Sequence, residues 1–250
     1  MERIGWKMDA KAAMKEAAAS PYWATVIFGS ISLILAGIQY ALDEWQNIIL
    51  RFKDFSDLGQ YIIISLIFLV VNFIISTWIQ FGYNIFCMKL SNRDSSVSYG
   101  DLFPSASFCL KAIGLQLMIS LLILLFCLPM IILTIAGLVI DSLLLVFLAL
   151  LTGIPAIIAS YSYTQSGLVL IENPSKKVMQ CIKESRQMMK GNKLEYFILE
   201  LSFIPWALLV PFTCMLAGIY VMPYMTITEI NFYNYIKPRE ALYQEVSGIE

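Results

Sequence analysis

Four stretches of this 250-residue chain carry no charged residue at all: Ala17 to Leu42, Leu58 to Met88, Ala112 to Ile140 and Ser142 to Ile171. A helix that crosses a bilayer takes about 20 mostly apolar residues. Each run is therefore long enough for one crossing, and none is long enough for two. Asp141 alone separates the third run from the fourth, so these two are expected to form a tight hairpin. The rest of the chain reads in the same way. Hydrophobic residues make up 59% of it and charged residues only 14%, where a soluble domain carries about 25% charged residues. This chain belongs in a bilayer.

The last apolar region is less simply divided. Between Lys193 and Lys237 there is no basic residue, but there are three glutamates, Glu195, Glu200 and Glu229. One reading is a single span with the C-terminus outside. The preferred reading is a hairpin of two spans turning near Pro211 to Cys214. That hairpin leaves Glu200 and Glu229 within the membrane, near its cytoplasmic side. The positions of Lys and Arg support it, because basic residues concentrate in cytoplasmic segments. With six spans and both termini inside, all but two of the 17 basic residues are internal, the exceptions being Arg51 and Lys53. No cleavage pattern follows the first apolar run, so it is expected to remain as the first span.

Between the spans lie amphipathic segments. Asn173-Pro174 reads as a helix start, with Asn as the cap and Pro in the first position. Val178, Cys181, Ile182, Met188 and Met189 then recur on one face at three- and four-residue spacing. Lys176, Lys177, Lys183, Arg186 and Lys190 lie mostly away from that face, and Gly191 is placed to end the helix. Such a helix is expected to lie on the inner leaflet with its cations near anionic headgroups. At the N-terminus, Trp6, Ala10, Ala13, Met14 and Ala17 share one face while Lys7, Lys11 and Lys15 stack on another. A shorter version, Ser98 to Phe108, precedes the third span. The chain thus reads as three units, each a surface segment followed by a membrane hairpin. Amphipathic linkers are also common in membrane proteins that have no internal repeat.

The segment "ESRQMMKGNKLEYFILELSF" (Glu184 to Phe203), then Trp206, then "MPYMTITEINFYNYI" (Met222 to Ile236) carries a resemblance. It is similar to the uncharacterised polytopic membrane proteins of Gram-positive bacteria grouped as domain-of-unknown-function family 975. The shared positions are Ser185, Met188, Met189, Gly191 and Lys193; Leu201, Ser202, Phe203, Ile204 and Trp206; and Pro223, Tyr224, Phe232 and Tyr233. Lys11 with Tyr22-Trp23 also fits. The chain departs from the family in carrying Pro205 before the Trp, where glycine is common. The resemblance implies a six-span bacterial membrane protein and transfers no catalytic residue.

Candidate chemistry is sparse. With no histidine, the commonest general base and the commonest metal ligand are both missing. The five cysteines are scattered without a CxxC pair, and the net charge of −1 argues against a nucleic-acid partner. No phosphate loop or nucleophile motif is present. We therefore expect no catalytic residue, no metal and no cofactor. Glu200 and Glu229 are the sharpest candidates, because an ionisable group inside a span is costly and by default functional. They pair either as a proton or cation site or as carboxylates bonded to Ser202, Thr226, Thr228 or an interfacial Lys. Asn72, Ser76, Gln80 and Asn84 repeat every four residues in the second span. Together with Gln116 and Gln165 they either line a hydrated cavity or hold helix to helix, a bond averaging about 0.6 kcal/mol.

The expected architecture is all-α. It comprises an N-terminal amphipathic helix over 1–20 and six spans near 21–42, 58–88, 111–136, 142–171, 194–211 and 214–236. An interfacial helix at 174–190 and a cytoplasmic tail at 237–250 complete it. The expected function is that of a non-enzymatic protein of the bacterial cell membrane. It would act as an accessory or membrane-protecting protein, binding anionic inner-leaflet lipid or another membrane protein through its basic face. A small transporter or flippase using Glu200 and Glu229 is the alternative.

Overall fold

The charge-free runs become the longest helices of the computed structural model, which describes residues 2–52 and 58–237. In chain order the helices are α1 (Glu2–Lys15), α2 (Pro21–Phe52), α3 (Leu58–Ser91), α4 (Ala106–Val139), α5 (Leu143–Tyr163), α6 (Ser166–Glu172), α7 (Val178–Met188), α8 (Lys193–Leu201), α9 (Ile204–Phe212) and α10 (Gly218–Ile236). A 3-10 turn at Tyr99–Leu102 precedes α4. No strand occurs among the described residues. Lys53, Arg239 and the tail over 238–250 lie outside them.

Five stretches are long and apolar enough to cross a membrane: Pro21–Trp45, Ile62–Ser91, Ala106–Val139, Leu143–Glu172 and Lys193–Phe212. Their outward faces are leucine, isoleucine and valine, with large exposed side chains all along α4 and α5. That surface needs hydrocarbon around it. Within the protein the same helices meet through small residues. A Cβ on Gly137 would sit 2.8 Å from Val146, and one on Gly153 would sit 3.0 Å from Met130, so α4 and α5 lie back to back. Asp141 takes the left-handed conformation (φ 53) in the turn between them, and Ser142 N–H donates to the Gly137 carbonyl at 2.8 Å.

The packed core lies at one end of this arrangement. There α1, the last turns of α3, α6, α7 and α10 bury Trp6, Phe86, Cys87, Val169, Leu170, Met189, Ile227 and Phe232 against one another. The loop before α4 is stitched to α3. The Trp78 indole donates to the Pro104 carbonyl at 2.9 Å, and Gly82 lies flat against the Leu102 carbonyl.

Several boundaries differ from the sequence expectation, among them the span expected over 142–171, which is broken into α5 and α6. The first span was expected to end near 42, but α2 continues to Phe52. Asn173 caps the end of α6 rather than the start of the next helix, which begins at Val178 with Lys177 as its cap. The stretch from Lys193 to Phe212 is broken into α8 and α9 at Ser202-Phe203.

Candidate functional site

In α7 the sequence periodicity and the observed burial agree. Cys181, Ile182, Ser185 and Met188 are buried, as is Met189 just beyond. Val178 is half-buried near Gly114 of α4. The Ser185 hydroxyl donates to the Ser162 carbonyl of α5 at 2.9 Å. Burial pushes the Cys181 thiol above its ordinary range, so it behaves as a small hydrophobe. The apolar face of this helix is thus taken up by the protein's own helices, so lipid does not cover it. Its basic face remains free. Lys177, Lys183, Arg186 and Lys190 are exposed. Gly191 ends the helix at φ +93, a conformation that favours glycine.

Most of the other cations are engaged within the protein, Lys15 being exposed without a carboxylate among the described residues. Lys89 pairs with Asp101 at 2.7 Å, Lys176 with Glu184 at 2.7 Å, Arg93 with Glu16 at 3.0 Å and Lys237 with Glu172. Lys111 donates to the Pro174 carbonyl at 2.7 Å and Lys193 to the Ile158 carbonyl at 3.2 Å. Of the five residues expected to meet headgroups, Lys176 is therefore engaged within the protein. Among the described residues, the other four have no carboxylate within ion-pairing distance.

The helix α1 docks in the same manner. Trp6, Ala10, Ala13 and Met14 are buried, and Trp6 meets Phe232 of α10 edge-on at 5.2 Å. Asn231 donates to the Trp6 carbonyl at 2.9 Å while accepting from Ser91 of α3 at 2.6 Å. The ammonium of Lys7 sits 4.4 Å over the Phe203 ring, and that of Lys11 sits 5.4 Å over Tyr224. Burial first, and the neighbouring Lys11 second, hold the Lys7 ammonium below the usual lysine range.

The two glutamates come together. Glu200, at the end of α8, accepts a hydrogen bond from the Tyr161 hydroxyl of α5 at 2.6 Å. Glu229 lies on α10, near enough to Glu200 for the two carboxylates to repel one another. Ser202 and Thr228 instead turn their hydroxyls to their own helices, onto the Leu199 and Tyr224 carbonyls. A third carboxylate, which sequence reasoning missed, is held by another part of α10. Glu172 accepts from the Tyr233 hydroxyl at 2.6 Å and from Lys237. The available signal was the one-turn spacing of Tyr233 and Lys237, which places both side chains on the same side of the last helix.

The polar stripe of α3 bonds along itself. Ser76 donates to Asn72 at 3.1 Å and Gln80 to Asn84 at 3.4 Å. Ser76 and Gln80 are exposed, as is Gln116 on α4. Gln165, at the break between α5 and α6, and the adjacent Ser166 are buried, and Gln165 Oε1 and Ser166 Oγ lack hydrogen-bond partners. Among the described residues no group of three His, Cys, Asp or Glu could hold a metal ion.

A groove opens between α2 and the α9–α10 turn. It encloses about 560 Å³ and is lined by Phe28, Gly29, Leu33, Val210, Leu216 and Met222, among others. Neither Glu200 nor Glu229 borders it.

Compared with known proteins, residues 31–240 match the model of one family, Protein of unknown function (DUF975). No curated protein and no solved structure matches the chain.

Proposed function

The chain belongs to the DUF975 family of proteins of unknown function, and from that premise we propose that it is a non-enzymatic accessory protein of the bacterial cell membrane. In this reading both termini are cytoplasmic, and the protein acts by binding anionic lipid of the inner leaflet through the basic face of α7. The observation that carries the reading is the contrast among cations. Most of the others are paired or bonded within the protein, whereas Lys177, Lys183, Arg186 and Lys190 are exposed without a carboxylate among the described residues. The helix holding them is pinned by its buried face, so the four charges are presented together on a rigid element. Each basic residue near an anionic surface contributes about 1 kcal/mol.

The test is lipid selection by the purified full-length protein. After incubation with equal amounts of phosphatidylglycerol and phosphatidylcholine, mass spectrometry counts the lipids retained. The wild type is expected to enrich phosphatidylglycerol several-fold. Lys177→Gln, Lys183→Gln, Arg186→Gln and Lys190→Gln combined are expected to lower that enrichment at least twofold. Unchanged enrichment in the quadruple variant would sink the reading.

A second reading, a small transporter or flippase, draws on one specific observation, the unpartnered polar atoms of Gln165 and Ser166 inside the bundle. A hydrated route through Gln165 would make Gln165→Leu lose solute flux in proteoliposomes. If no flux is measurable with the wild type, this reading fails.

A further inference from the structure

The groove between α2 and the α9–α10 turn has the position, depth and chemistry of a site for one lipid tail. We propose that it holds an acyl chain of an anionic glycerophospholipid from the inner leaflet, with the phosphate near Lys11. The inference rests on the lipid-binding reading and gives it a second, separate location.

Depth is the first argument. Tyr22, in the first turn of α2, stacks on Tyr220 of α10 at 6.3 Å, and Tyr224 meets Phe203 and Trp206 edge-on. Trp23 and Trp206 are exposed beside them. Such rings collect at the membrane–water interface. Along α2 the groove starts at Thr25 and ends at Leu33, a rise of about 12 Å at 1.5 Å per residue. Its far end is then about 16 Å beyond Tyr22, half of a hydrocarbon layer about 30 Å thick. The groove runs through one leaflet.

Chemistry is the second argument. Three hydroxyls line the groove, and all three are already bonded. Thr25 donates to the Pro21 carbonyl at 2.9 Å and shares a bond with the Tyr83 hydroxyl at 2.8 Å. Ser30 and Ser32 donate to the Val26 and Phe28 carbonyls at 2.7 and 2.9 Å. The turn that closes the far end also satisfies itself. The Thr213 hydroxyl donates to the Leu209 carbonyl at 3.0 Å and accepts from the Ala217 N–H at 3.0 Å. Apart from the weakly polar Cys214 thiol, the walls therefore offer carbon and no free hydroxyl, which suits an alkyl chain and rejects a polar solute. Charge is the third argument. Lys11 is held over the Tyr224 ring, about 3 Å further along α10 than the groove residue Met222 and so at the depth of the groove's aromatic end. An alkyl slot with a cation at its interfacial end matches a phospholipid.

The test uses the full-length protein stripped of loosely bound lipid in mild detergent, with retained phospholipid counted per chain by native mass spectrometry. A Cβ at Gly29 meets open space inside the groove, and one at Gly37, two turns further along α2, meets open space outside it. Gly29→Phe is expected to lose one retained phospholipid per chain, and Gly37→Phe to keep it. Lys11→Gln, added to the quadruple α7 variant, is expected to keep that lipid but no longer prefer phosphatidylglycerol over phosphatidylcholine. Equal retention by the two Phe variants, or no retained lipid in the wild type, overturns the proposal. A strong phosphatidylglycerol preference that persists when Lys11→Gln is added to the quadruple α7 variant overturns the headgroup assignment. Should Gly29→Phe fail to fold, Cys214 supplies the answer, because it lines the groove and is exposed. Added phosphatidylglycerol should slow its reaction with a small uncharged maleimide several-fold, and an unaltered rate rejects the site. If the quadruple α7 variant loses its lipid selection and both Phe variants keep their lipid, the groove alone is refuted. The opposite pair of results refutes the α7 surface alone.

Discussion

Gly82 of α3 has no room for a methyl group: a Cβ there would lie 2.0 Å from the Leu102 carbonyl oxygen and 2.5 Å from its carbon. Both atoms are backbone, so neither can rotate away. Gly82→Ala is expected to cost at least the 1–3 kcal/mol typical of overpacking, read as a lower unfolding temperature in detergent. The same change at Gly37, where nothing lies within 4 Å, should leave that temperature unaltered or slightly raised. A second residue-scale prediction concerns Tyr161. Its hydroxyl is bonded to the Glu200 carboxylate at 2.6 Å, so Tyr161→Phe should lower stability by about 1–2 kcal/mol. Glu200→Gln keeps an acceptor there and should cost less. Nothing in the sequence pointed to Tyr161 as the partner of Glu200. Helical spacing brings together residues three and four apart, whereas this pair is 39 residues apart. The nearer candidates, Ser202 and Thr228, looked equally able to serve. A hydroxyl on a helix can always reach the carbonyl one turn back, and both do so.

For the elements, α1 and α7 illustrate how far a hydrophobic pattern reaches. The periodicity named the faces correctly, from Trp6 to Met14 and from Cys181 to Met189. It did not name what covers them. An apolar stripe gains about the same free energy against a neighbouring helix as against lipid, so the two destinations write the same sequence. The charge-free runs were legible for a different reason: a helix that is mostly apolar on every side has no face that water favours. The start of α7 was misplaced because Asn173 and Pro174 favour helix ends and helix starts alike. Which role wins depends on α6, whose seven residues hide inside the fourth apolar run. The docking of α1 yields a prediction. Trp6 is buried against Phe232 and Tyr235 at ring distances of 5.2 Å. Trp6→Ala should cost about 3–5 kcal/mol and make the α1–α2 linker sensitive to protease. A helix floating on lipid would lose only its own membrane affinity. An unchanged unfolding temperature for the variant would therefore rule out docking.

At the scale of the whole molecule the question is how the chain crosses the bilayer. The four long helices α2 to α5 have 21 to 34 residues each, enough for full crossings. The C-terminal hairpin is built differently. Although Lys193–Phe212 has the length and composition of a span, it breaks at Ser202-Phe203, and α9 has only nine residues, about 14 Å. Its turn, with Cys214 and Met215 at positive φ, lies against Gly29 to Leu33, and α2 runs on from there to Phe52. A hairpin that turned halfway along a spanning helix would enter and leave on one side. Irregular backbone at that depth is tolerated only when its polar groups are satisfied, which the Thr213 hydroxyl and the bond from Met215 N–H to the Val210 carbonyl accomplish. Six full crossings and four crossings plus this hairpin put both termini on the same side, so reporters fused to the ends give one result for both. Cys214 separates them. In a variant whose only cysteine is Cys214, a charged, membrane-impermeant maleimide should fail to label intact cells and inverted vesicles alike, yet label the protein once detergent has removed the bilayer. Labelling requires thiolate in contact with water, and midway through the hydrocarbon there is none. A control with Ser142→Cys as the sole cysteine, in the α4–α5 turn, should label from the outside of intact cells. If Cys214 labels as readily there as that control, the hairpin crosses completely and the chain has six spans. The groove beside it would then open toward the outer leaflet.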